Sequence, residues 1–132
     1  MELEDLKRIV ADVAAKEPSV LAAWIFGSRV RGEERPSSDL DVALLTASEG
    51  RPPAIEDRVG GGIAAECGLD VDVSRLDLAG PALAFEVVTE GCRVYARDDL
   101  AADLAEERAR RVYLDTEHLR RVQNHYLYGD PL

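Results

Sequence analysis

The sequence predicts an α/β (α+β) chain, a small mixed β-sheet flanked by helices. Three observations predict it. Val20–Phe26 is an unbroken apolar run of strand length, and Leu69–Ser74 alternates apolar with polar residues. Leu3, Leu6, Val10 and Val13 are spaced three, four and three, the stripe of an amphipathic helix. Glycine and proline punctuate the chain between such segments, at Pro18, Gly27, Gly50, Pro52, Pro53, Gly68 and Gly91. At 132 residues the chain has the size of one domain able to bury its own core. We place that core at about residues 18–98, with a helical extension over 99–128.

The elements follow in order. The first helix ends near Lys16, because Pro18 forbids much continuation, and it serves as a cover for the sheet. Val20–Phe26 is a buried strand ending at Gly27, and a second strand carries Asp39 and Asp41 and continues through Leu45. Thr46–Pro53 reads as a loop, and Ala54–Cys67 as a helix with Ile55, Val59, Ile63 and Cys67 four apart. Gly60-Gly61-Gly62 disfavours that helix, each glycine costing about 1 kcal/mol against alanine. It predicts a weak or broken helix, or close packing against a neighbour. A phosphate loop does not fit, since no Gly-Lys-Ser/Thr follows. After Gly68 comes the alternating strand, then a helix over Pro81–Glu90 stopped by Gly91, then a short strand over Cys92–Tyr95. From Asp98 the chain is helical and charged, with a break expected near Asp115. The aromatic end, His125–Tyr128, offers either a partner surface or packing back on the domain, with packing back the favoured expectation, and His118 and His125 are expected to be surface residues.

The chemistry concentrates between the first two strands. Residues two apart on a strand share a face, so Asp39 and Asp41 point one way while Leu40, Val42 and Leu44 point into the core. Two neighbouring carboxylates repel unless one is protonated or a cation lies between them. A hard divalent ion such as Mg2+ takes oxygen ligands and keeps a substrate phosphate in its shell. The Gly27-Ser28 turn offers backbone N–H groups and a hydroxyl to that phosphate. Both halves point to a metal-bound nucleoside triphosphate. On the later strand Asp70, Asp72 and Ser74 share a face, and parity alone does not choose between the two acids.

The formal charge of −10 disfavours a direct nucleic-acid surface and suits a basic protein partner. No apolar run approaches the roughly 20 residues of a membrane span, and the charged N-terminus is unlike a secretory signal, so a cytoplasmic location is expected. Cys67 and Cys92 have no metal-site spacing and read as buried, reduced thiols.

Gly27-Ser28, ten residues, then Asp39-x-Asp41 resembles the signature of the polymerase-β-like nucleotidyltransferase superfamily. The fuller GSRVRGEERPSSDLDVALL, and later PALAFEVVTEGCRVYARDD, look like minimal nucleotidyltransferases, many of them antitoxins paired with a HEPN-domain RNase toxin. The likeness runs from about Trp24 to Asp99. It implies the polymerase-β-like nucleotidyltransferase fold and AMP transfer from ATP, with Mg2+ as two ions. Its acceptor would be a tyrosine hydroxyl of a HEPN-type toxin held in a hetero-oligomer. It implies Asp39, Asp41 and Asp72 as catalytic metal ligands, since the third acid of the family sits in a Val-Asp-Val strand, here Val71-Asp72-Val73, with Asp70 the spare. Gly27 and Ser28 would hold phosphate, with Arg29 or Arg31 adding charge there or serving as surface ion pairs. Two other functions stay open: transfer to a small-molecule hydroxyl such as an aminoglycoside's, and neutralisation of a partner by contact alone.

Overall fold

The computed structural model describes residues 1–50 and 52–132. Arg51, part of the expected Thr46–Pro53 loop, lies outside the described residues. Among those described there are six α-helices and four strands: α1 (Leu3–Ala15), β1 (Val20–Phe26), α2 (Ser28–Arg31), β2 (Leu40–Thr46), α3 (Ile55–Cys67), β3 (Val71–Arg75), α4 (Pro81–Glu90), β4 (Cys92–Ala96), α5 (Asp99–Asp115) and α6 (Glu117–Tyr128). A single 3-10 turn, Leu76–Leu78, follows β3. The sheet order is β3-β2-β1-β4, so the mixed sheet flanked by helices is found as expected. β1 runs antiparallel to both neighbours, whereas β2 and β3 are parallel and joined through α3. A parallel pair needs such a crossover, because no tight turn can return the chain in the same direction.

β1 is central and covered on both faces, which is why its sequence is apolar throughout rather than alternating. Ala23 and Ile25 join Leu40, Val42 and Leu44 of β2 under α1 and α3, with Leu6, Val10, Ile55, Val59 and Ile63. Ala22, Trp24 and Phe26 face the other way, into Ala84, Val87 and Val88 of α4 and Ala102 and Ala109 of α5. The second face is closed by a polar clamp. Trp24 Nε1 donates to Glu106 Oε2 at 2.9 Å, and Arg93 donates to Glu106 Oε1 at 2.8 Å and to Asp103 at 2.6 Å. Cys67 and Cys92 are unpaired but only half-buried, a correction to the expectation of buried thiols.

The triple glycine does not break α3. A Cβ on Gly60 would meet Val73 Cγ2 at 3.1 Å, and one on Gly62 would meet Val13 Cγ1 at 3.1 Å. Gly61 faces open space. Two of the three glycines therefore let α3 approach β3 on one side and α1 on the other, and packing offsets their low helix propensity.

The break after α5 falls at Thr116, whose Oγ1 donates to the Val112 carbonyl at 2.7 Å. Phe85 of α4 stacks on Tyr113 with centroids 4.0 Å apart, and the Arg120 guanidinium carbon lies 3.6 Å from the centre of the Tyr113 ring. Beyond this joint the expectation fails. The aromatic end does not pack back: no residue of α6 is buried, and Tyr126 and Tyr128 are 80% and 74% exposed. Within α6 the ties are made at its start, by Arg120 to the Tyr113 carbonyl and to Thr116, so its far end projects from the body.

Candidate active site

The site starts from the way β1 ends. Gly27 is buried and takes φ +85°, a conformation that L side chains rarely adopt. A Cβ there would collide with Asp41 Oδ2. The requirement for glycine is thus double, in backbone angle and in space, and the second part places the turn against the Asp41 carboxylate. Ser28 then opens the single turn of α2, which sequence periodicity missed because four residues are too few to show a period. Gly32, at φ +74°, ends it.

The chain returns through a loop braced from α2. Arg29 Nη2 and Nε donate to the Ser38 carbonyl at 2.8 and 3.3 Å, while Ser38 Oγ accepts the Arg35 N–H at 2.8 Å. Arg31 faces carboxylates instead, with Glu33 at 3.1 Å, Glu86 at 3.5 Å and Glu90 at 3.7 Å. Both arginines were candidates for phosphate. In this geometry one holds the loop and the other ties α2 to α4.

Asp39 sits one residue before β2 rather than within it, a correction to the expectation. The ladder with β3 begins at Leu40↔Val71, and β1 turns away at Gly27, so Asp39 has no strand on either side to pair with. Asp41 lies inside β2, opposite Phe26 on one side and Asp72 on the other. Asp41↔Asp72 are register partners in the parallel ladder, which carries both on the same edge of the site. Asp70 precedes β3, and its carbonyl accepts the Leu40 N–H at 2.9 Å. Burial pushes the Asp41 carboxyl above its ordinary range, and the charges of Asp72, Asp39 and Glu86 push it further, with Arg31 opposing. Asp70 is not among those charges.

Among the described residues, no three His, Cys, Asp or Glu side chains are gathered closely enough to hold a metal ion as they stand. The donor set nonetheless suits a hard divalent cation. It consists of carboxylate oxygens, one of them partly desolvated, whose mutual repulsion a cation would relieve. A cleft of about 360 Å³ lies farther along the same sheet face, lined by Leu45, Leu76, Pro81, Ala84, Arg108 and Ala109 among others. None of the three aspartates lines it. Glu86 is the neighbour that sequence reasoning missed. Its one available signal was its position four residues before Glu90 on α4, which puts both on the helix face that meets Arg31.

Residues 8–100 match the family model for the polymerase beta nucleotidyltransferase domain. A protein described as a minimal nucleotidyltransferase is 30% identical, with a TM-score of 0.56 over 69% of this chain and 94% of its own. Two more distant structures share the fold over nearly the whole chain. One comes from a toxin–antitoxin complex with AMP-PNP, at 21% identity and TM-score 0.73, covering 94% of this chain and 96% of that one. The other comes from the tri-AMPylated Shewanella oneidensis HEPN toxin in complex with MNT antitoxin, at 19% identity and TM-score 0.69, covering 96% of each. Comparison with the curated proteins found no match. The domain match contains the Gly27-Ser28 turn, Asp39, Asp41 and Asp72 together, and this chain belongs to the polymerase beta nucleotidyltransferase family.

Proposed function

We propose that this nucleotidyltransferase moves AMP from ATP to a tyrosine hydroxyl of a HEPN-type RNase toxin and so acts as its antitoxin. The observation that carries the reading is the contact of Gly27 with Asp41, itself in register with Asp72. It sets the Gly27-Ser28 turn directly beside two carboxylates in register. The fold neighbours, one from a complex with AMP-PNP and one from a complex with an AMPylated HEPN toxin, support the donor and the acceptor class. We take the chain as one minimal domain, core about 18–98 with its helical extension over 99–128, in which α5 also lends Ala102 and Ala109 to the core.

In the reaction the acceptor oxygen bonds to the α-phosphorus, the bond from that phosphorus to the bridging oxygen breaks, and pyrophosphate leaves. The tyrosine proton is lost to solvent. Asp39, Asp41 and Asp72 would hold Mg2+, which when bound would supply positive charge to the triphosphate and to the attacking oxygen. The chain's own part is mostly positioning and electrostatics. Gly27 brings backbone close to the phosphates, and the Ser28 hydroxyl holds their terminal end. Arg29 keeps the loop before Asp39 in place through Ser38. Arg31 is tied to the carboxylates of α4, and its charge, which Asp41 senses, would reach the phosphates from there. Added AMP brings negative charge and bulk to the toxin, opposing RNA phosphates there. We place the reaction in the cytoplasm; no helix among the described residues is long and apolar enough to cross a membrane.

The test is pyrophosphate release from Mg–ATP in the presence of the toxin. Release by the wild type and its loss in Asp41→Asn is the expected result. Equal release by both proteins would remove Asp41 from the mechanism.

A further inference from the structure

α6 has a sequence that asks for a cover which this chain does not provide. Leu119, Val122 and Tyr126 are spaced three and four apart, a helical stripe, yet no residue of α6 is buried. Leu114 and Leu119 are 63% and 57% exposed, and Tyr126, Leu127 and Tyr128 are 80%, 71% and 74% exposed. A helix of this length is marginal alone in water, because most helical stability in proteins comes from packing an apolar face. Exposed tyrosines and leucines gathered on one projecting element are the composition of an interface centre.

Charge is segregated to the same end. Residues 108–128 carry five arginines against two acids, a net of +3 in a chain whose net charge is −10. The family's domain match does not include this element. The family model ends at residue 100, and the 30%-identical minimal nucleotidyltransferase aligns over 94% of its own length while covering 69% of this chain. The neighbours that cover 94% and 96% of this chain could not do so without most of α5 and α6.

We propose that α6, with the basic end of α5, is the docking helix that holds the acceptor protein, and that it seats in an apolar groove of that protein rimmed by carboxylates. The inference rests on the partner reading above and adds to it the surface and its chemistry. Two separate regions then meet the partner. The acidic aspartate edge faces the acceptor hydroxyl, and the basic, aromatic helix supplies affinity that a small active site cannot.

The experiment uses the full chain co-expressed with a HEPN-type RNase toxin. The double variant Leu119→Asp/Tyr126→Asp is compared with wild type and with Leu100→Asp, an exposed position at the opposite end of α5 from α6. Complex formation is read by light scattering after size exclusion and by calorimetry, and Mg–ATP binding to the isolated chain reports an intact donor site. Binding to the partner weakened by at least roughly tenfold in the double variant alone, with unchanged Mg–ATP binding, supports the proposal. Equal partner binding by all three proteins overturns the docking helix and leaves the partner reading standing. No complex with wild type removes the partner reading, and the docking helix with it. An isolated wild-type chain that dimerises while the double variant is monomeric shows that a second copy covers the stripe, and also overturns the proposal.

Discussion

Replacing the three glycines of α3 one at a time by alanine should give three different results from one chemical change. Alanine is favoured over glycine in a helix interior by about 1 kcal/mol. At Gly61 the new methyl meets nothing within 4 Å, so that gain should appear whole. For a chain of this size it corresponds to a rise of roughly 3–5 °C in Tm. At Gly60 the methyl arrives 3.1 Å from Val73 Cγ2, and at Gly62 it arrives 3.1 Å from Val13 Cγ1. Overpacking of that kind costs about 1–3 kcal/mol, so both variants should fall between neutral and about 2 kcal/mol less stable. Gly60→Ala should also cost transfer activity, because Val73 adjoins Asp72 on β3 and a displaced strand moves the acid relative to Asp41. Urea denaturation with equal m-values for the three variants gives the ranking. If Gly61→Ala were no more stable than Gly60→Ala and Gly62→Ala, the packing account of the triple glycine would be wrong.

Three further outcomes follow from single contacts. Asp41→Asn should stabilise the chain in EDTA at neutral pH while removing transfer. Its folded carboxyl is raised, so wild-type stability falls as pH climbs from the unfolded value of about 3.9 through the raised folded value, and the asparagine variant lacks that fall. The two should converge in denaturation experiments below the unfolded pKa, and added Mg2+ should stabilise wild type only. Gly27→Ala should lose transfer and cost roughly 1–3 kcal/mol from its φ of +85° alone, with Asp41 displaced as well; a fully active alanine variant would contradict the close approach. Glu106→Ala should destabilise by about 1–3 kcal/mol in thermal or urea melts, since it strips the buried Trp24 Nε1 of its acceptor.

The parts of this fold that were legible are those where one local rule acts alone. β1 and α4 have the predicted bounds because an apolar run and a proline–glycine frame, respectively, leave no competing reading. Strand parity placed Leu40, Val42 and Leu44 correctly because one face of β2 is buried along its length. Where partners decide, local rules fell short. Asp39 left the strand because β1 turns off at Gly27, a fact of pairing rather than of composition. The glycine triplet could be read as a weakness or as a close approach until its neighbours Val13 and Val73 were known. The neighbourhood of Glu86 joins residues 45 positions apart in sequence from Asp41, and no pattern on α4 alone reveals that charge. The stripe on α6 is plain in the sequence, but a stripe specifies only that something covers it.

The central claim is that Asp41 and its neighbours transfer AMP to the partner. Intact-mass spectrometry of the toxin after incubation with this chain, Mg2+ and ATP tests it most directly. The account predicts one or more AMP additions on the toxin with wild type and none with the Asp39→Asn/Asp41→Asn double variant. An unmodified toxin that both proteins inhibit equally would contradict it and assign the neutralisation to contact alone.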